Sequence, residues 1–192
     1  YEPHVNGVKG IFVPQTGIID YKAVAYKYAE KIRHFNGDIF PDNKVTDIKE
    51  ANGFIQVVTN RQTLTTRLVI NCTGLFSDKI AKLTGMPVDY RIIPFRGEYF
   101  SLTPDSAHLV NGLIYPVPDP NLPFLGVHFT KRISGSVEAG PNAVLAFSRE
   151  GYEKTSFNLK DMIELSTYLG FWKMSASNWK TGLHEMYRSK VK

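Results

Sequence analysis

Along the chain the apolar positions change period several times, and each change predicts an element. Behind Asp20, a favoured N-cap residue, Val24, Tyr28, Ile32 and Phe35 recur at helical spacing, so an amphipathic helix is expected over 21–35, ended by Asn36-Gly37. Three strand-like runs follow, at 44–50, 54–59 and 64–70. Asn52-Gly53 joins the first two, because both residues tolerate positive φ, and the last two turn at 60–62, so the expectation is an antiparallel meander. A further short strand is expected at 10–14.

The run Leu68-Val69-Ile70 is apolar throughout, as in a strand entering a sheet covered on both faces. It breaks at Asn71-Cys72-Thr73-Gly74 and restarts as a helix capped by Ser77, complemented by Asp78 and ended by Gly85 and Pro87. Such a junction places backbone amides at a sheet edge, where nucleotides and their phosphates tend to dock. Strand-glycine-helix junctions are also ordinary α/β packing, so the pattern alone decides nothing.

After Pro87 the period shortens to two, giving strand candidates in RIIPFRGEYFSL, LIYPV, FLGVHFTKRI, GSVEAG and AVLAF. The last two read as a hairpin turning at Gly140-Pro141-Asn142, with Asn142 a turn residue. Helical spacing returns at Asn158, with Leu159, Met162, Ile163 and Leu169 apolar and Gly170 as stop; a final helix carries Trp179, Leu183, Met186 and Tyr187. No internal repeat or low-complexity tract interrupts this order.

Composition narrows the classes. With 192 residues, of which 43% are hydrophobic, the chain suits a folded core; its formal charge is +5, but no Lys/Arg cluster is dense enough to follow a nucleic-acid backbone. The charge favours small anions. Cys72 is the sole cysteine, which rules out an internal disulfide and makes a reducing, cytoplasmic setting the expectation. No stretch reaches the roughly 18 apolar residues of a membrane span, and no zinc spacing, Walker loop or GxSxG elbow is present. Opening at Tyr1 and closing on SKVK, the chain reads as a piece of a longer protein.

Chemistry concentrates in two strands. In FLGVHFT, alternation puts Leu125, Val127 and Phe129 on one face and Gly126, His128 and Thr130 on the other, so an imidazole stands beside a residue without a side chain, where a ligand has room. A base with an unperturbed pKa of about 6.5 suits removal of a hydroxyl proton during alcohol oxidation, and His128 has the best case among the histidines. A half-exposed strand with an incidental histidine fits the spacing equally well. In PFRGEYF, Arg96 and Glu98 share a face, which suits either a paired stripe or an Arg96 left to fork a substrate carboxylate; Lys131, Arg132 and Arg149 are further anion candidates.

PFRGEYF, LPFLGVHFT, GSVEAGPNAVLAF with REGY, and NCTGLFSDKIAKLTG together resemble the flavin-dependent L-2-hydroxyglutarate oxidases and dehydrogenases, of the D-amino-acid-oxidase-like superfamily. The resemblance covers essentially the whole chain. It implies an α+β fold: a partial FAD-binding part at 18–86 and a substrate part at 1–17 and 87–192 built on a mixed, mainly antiparallel sheet with helices. It also implies FAD, oxidation of L-2-hydroxyglutarate to 2-oxoglutarate, oxygen or a quinone as electron acceptor, and room for peripheral contact with the inner membrane. Under it, Val45, Thr73 and Gly74 face the cofactor, while chemistry and alternation assign His128 as proton acceptor or substrate-orienting group and Arg96, Tyr99, Thr130 and Lys131 to the substrate. The family's GxGxxG loop does not occur here, so this piece is expected to hold FAD poorly and to be inactive alone. Two alternatives stay open: a relative acting on an amino acid or glycerol 3-phosphate, and an anion-binding module without redox chemistry.

Overall fold

A computed structural model describes residues 1–118, 120 and 126–191. Their contacts divide the chain into two units. Unit 1 holds residues 1–37, 96–144 and 181–192, and unit 2 holds residues 38–95 and 145–180. This partition differs from the expected boundaries at 17 and 86: the first helix groups with unit 1, and residues 145–180 return to the meander. The physical tie for the latter is a buried ion pair between Arg149 and Asp78.

Unit 2 contains the expected meander: β1 (Val45–Ala51), β2 (Phe54–Thr59) and β3 (Thr63–Thr66), antiparallel in that order. Asn52 at φ 53° and Gly53 at φ 76° make the first turn, as their tolerance of the left-handed region requires. The run 68–70 departs from expectation. It is not a strand, and Leu68 and Ile70 are 70% and 76% exposed, because no described strand pairs with it. Gly74–Phe76 forms a 3-10 turn leading into α2 (Ser77–Leu83), which starts without a side-chain cap, so Ser77 lies inside the helix.

α3 (Leu159–Ser166) is capped by Asn158, whose side chain accepts from the Asp161 amide. It ends at Thr167, before the expected stop at Gly170. Ser166 and Thr167 hydroxyls donate back to the Ile163 and Glu164 carbonyls, which favours a break there. Gly170 instead lies inside α4 (Leu169–Lys190), a helix with non-helical dihedrals at Asn178.

In unit 1, α1 (Tyr21–His34) is capped by Asp20 as expected, and Asn36 at φ 58° lets Gly37 N–H reach the Ile32 carbonyl. Its apolar stripe is not buried: Tyr28, Ile32 and Phe35 are all exposed. No strand forms at 10–14, where Ile11 points to solvent without a pairing partner among the described residues. The second sheet has the order β4 (Phe95–Ser101), β7 (Val137–Leu145), β6 (His128–Lys131), β5 (Leu113–Ile114).

β7 corrects the expected hairpin, since the strand runs straight through Gly140-Pro141-Asn142, whose first bond is cis. Glycine is needed there. A Cβ on Gly140 would come within 2.6 Å of the Tyr99 ring and 2.9 Å of the Glu98 carbonyl, so the two strands approach only because position 140 is bare. Asn142 is buried, not a turn residue, and its amide donates to the Glu185 carbonyl at 3.1 Å.

Candidate functional site

The register of the second sheet sorts its side chains onto two faces. His128 lies opposite Gly140, Thr130 opposite Glu138, and Leu113 opposite Thr130. One step further along the β5–β6 register Tyr115 meets His128, and their rings stack with centroids 4.7 Å apart. Tyr99, packed over bare Gly140, presents its ring edge to His128 at 6.4 Å. His128, Thr130, Tyr99, Tyr115 and Glu138 therefore share one face. It is open, for Tyr99 and Tyr115 keep 45% and 51% of their surface exposed.

The opposite face holds Arg96 and Glu98, paired at 2.9 Å with side chains only 12% and 8% exposed. The α4 residue Ser189 donates to the same Glu98 oxygen at 2.8 Å. Lys131 alternates away from Thr130, and its ammonium approaches the Val110 carbonyl at 3.4 Å. Of the substrate residues expected from sequence, the fold thus brings Tyr99 and Thr130 to His128 and keeps Arg96 and Lys131 on the other side. Alternation of Gly97 and Tyr99 against Arg96 and Glu98 carried that separation in the sequence.

The imidazole is oriented as well as flanked. His128 Nδ1 lies 3.1 Å from the Gly126 carbonyl oxygen, which only accepts, so Nδ1 carries the proton and donates. In the neutral ring that leaves Nε2 as the basic nitrogen. The space expected beside Gly126 is taken: a Cβ there would meet Pro116 at 3.2 Å, so its bareness serves the protein's own packing. Leu125 lies outside the described residues. On the open face Arg132 forms an ion pair with Glu138, and this hydrogen bond above all holds the guanidinium above its ordinary pKa, with a smaller contribution from the Tyr99 phenol.

The residues expected at the cofactor belong to unit 2. Val45 opens β1 opposite Thr59. Thr73 donates to the Asn71 side chain at 2.6 Å, whose own amide donates to the Ser77 carbonyl at 2.8 Å, and Gly74 takes φ 52°. A Cβ at Gly74 would meet nothing within 4 Å, so this turn has open space beside it.

The start of α2 is not an anion site. Asp78, with no exposed surface, accepts from the Lys79 amide at 2.8 Å and places a carboxylate among the first amides. Arg149 pairs with it through two bonds, 2.6 and 2.7 Å, and also donates to the Leu75 carbonyl at 2.5 Å. Nearby, Lys79 bridges Asp161 and Glu164 at 3.0 and 3.1 Å. A cavity of about 20 Å³ beside Arg91, Arg149 and Asp161 has room for about one water and no ligand.

Residues 1–169 match the family described as DAO, FAD dependent oxidoreductase. The chain belongs to this FAD-dependent oxidoreductase family. Its relatives include an L-2-hydroxyglutarate dehydrogenase of Indibacter alkaliphilus, 50% identical over 98% of this chain and 48% of its own length. The L-2-hydroxyglutarate dehydrogenase of Escherichia coli strain K12 is 41% identical over all of this chain and 46% of its own. The mitochondrial L-2-hydroxyglutarate dehydrogenase of Homo sapiens is 40% identical over 98% of this chain and 43% of its own. The chain thus spans about half the length of the curated relatives it matches.

Against the cofactor of this FAD-dependent family, the residues of the chain fit only in part. The Thr73-Gly74 turn offers an open backbone edge, but no two glycines stand in G-x-G spacing and the α2 start is filled by Asp78. These residues do not build a pyrophosphate cradle. Among the described residues, no group of three or more His, Cys, Asp or Glu side chains is placed to hold a metal ion, and no helix is long and apolar enough to cross a membrane.

Proposed function

We propose that the protein to which this chain belongs oxidises L-2-hydroxyglutarate to 2-oxoglutarate, with FAD as cofactor, and that the face carrying His128 receives the substrate. Identity of 40% to 50% with relatives of that name, over nearly the whole chain, supports the substrate. The observation that carries the chemistry is the imidazole on an open face with Nδ1 committed to the Gly126 carbonyl.

Oxidation of a secondary alcohol removes a hydride from carbon and a proton from the hydroxyl. FAD, when bound, accepts the hydride. The chain's own residues handle the proton: His128 Nε2 takes it as the carbonyl forms, while the Tyr115 ring stacked on the imidazole and the Gly126 carbonyl keep the base aimed. Tyr99 and Thr130 offer hydroxyls to the substrate on the same face. With FAD bound, oxygen or a membrane quinone would serve as electron acceptor, the latter calling for peripheral contact with the inner membrane from the cytoplasmic side.

Anaerobic titration of the intact, flavin-loaded protein with a panel of substrates tests the reading. Flavin bleaching by L-2-hydroxyglutarate, and not by its D-enantiomer, amino acids or glycerol 3-phosphate, is the expected result. Bleaching by an amino acid or glycerol 3-phosphate, with no response to L-2-hydroxyglutarate, would overturn it.

A further inference from the structure

We propose that Arg132, held by Glu138 at the hairpin end of β6, binds the distal carboxylate of the substrate and thereby selects a two-carboxylate hydroxy acid over a one-carboxylate one. The inference rests on the functional reading above and deepens it.

A hydroxy diacid needs a cation on the face that holds its proton acceptor. Arg96 and Lys131, the strongest candidates by residue type, are turned to the other face, where Arg96 is bonded to Glu98 and Lys131 approaches the Val110 carbonyl. Arg132 keeps the parity of His128 and Thr130 because the ladder extends one step past β6, its amide donating to the Ser136 carbonyl at 2.8 Å. Its partner Glu138 lies opposite Thr130, two positions from His128. At a rise of about 3.3 Å per residue, Glu138 stands roughly 7 Å along the strand from His128 and Arg132 roughly 13 Å, so the pairing with Glu138 draws the guanidinium back towards the imidazole, within reach of the distal carboxylate of a five-carbon diacid whose C2 hydroxyl meets His128.

The pair also has donors to give. Glu138 engages Nη2, and a guanidinium carries further N–H groups in a planar fork suited to a second carboxylate. The Arg132 side chain is 54% exposed against 23% for Glu138, so the cation faces outward with its acidic partner behind it. Glu138 fixes the fork and discourages an anion from lying along β7.

Steady-state kinetics of the intact, flavin-loaded protein with L-2-hydroxyglutarate and with L-2-hydroxyvalerate, which has the same carbon count and no distal carboxylate, decide the matter. Arg132→Gln is expected to raise the diacid KM about 10- to 100-fold with kcat within about twofold, and to leave kcat/KM for the monoacid within about twofold. An unchanged diacid KM, or an equal loss on both substrates, would overturn the proposal while leaving the functional reading in place. A wild-type protein that fails to oxidise L-2-hydroxyglutarate would overturn both. Should Arg132→Gln not fold, Arg132→Lys decides instead: a diacid KM raised several-fold with the monoacid unaffected supports the assignment, and parallel changes on both refute it.

Discussion

Asp78 and Arg149 sit 71 positions apart in sequence and form the most buried ion pair described, with 0% and 6% of their side chains exposed. Burial by itself would raise the Asp78 pKa, but the Arg149 hydrogen bonds and charge, with the Ile92 and Lys79 amides, outweigh it and hold the carboxyl below the usual range. A carboxyl with a depressed folded pKa contributes stability that is present above its unfolded pKa of about 3.9 and is lost as pH falls through the folded value. Arg149→Met should therefore destabilise the protein by about 3–5 kcal/mol at neutral pH, since Asp78 stays buried without its partner. Urea unfolding measures this, and the same variant should lose less additional stability between pH 5 and pH 2 than the wild type. An unchanged urea midpoint would mean that the pair is not needed to hold α2 to the segment after β7. Both residues stand out in the sequence, Asp78 at a helix start and Arg149 as a candidate for an anion. Their pairing is not legible there, because nothing local marks partners so far apart. Tyr115 was missed although the alternation of LIYPV places it on the Leu113 face, and its role became visible only through the register with β6.

At the scale of elements, the tight turns, two of the helix caps and the β1–β2–β3 meander stand as the pattern put them, whereas the pairing of the second sheet does not. The Asp20 cap, the Asn52-Gly53 turn and the Asn158 cap are set by backbone and side chain within a few residues, and each stands where the pattern put it. β7 escaped because glycine and proline ordinarily interrupt a central strand. Here Gly140 is bare so that Tyr99 can lie over it. Gly140→Ala should push β4 from β7 and disturb the Tyr99 and His128 face, costing about 1–3 kcal/mol by overpacking. Thermal unfolding compared with Gly10→Ala, a position with nothing within 4 Å of a built Cβ, checks it; equal midpoints for the two variants would refute the close approach. The run at 68–70 failed as a strand for the complementary reason. Apolar continuity signals burial only where a neighbour exists to cover it, and none is described here.

At the scale of the molecule, the family was legible in four sequence segments, and residues 1–169 carry it. Which side chains meet on one face was only half legible, since alternation orders residues within a strand while register between strands decides who is opposite whom. That register brings Tyr115 and Tyr99 to His128, and it turns Arg96 away. In the proposed reaction one imidazole, His128, with Nδ1 committed to the Gly126 carbonyl, takes the hydroxyl proton on Nε2. Stopped-flow flavin reduction by L-2-hydroxyglutarate, without oxygen, in the intact protein and in His128→Gln tests this most directly. Reduction should slow by about 10²- to 10⁴-fold in a variant that still binds flavin; reduction at the wild-type rate would rule out His128 as the base.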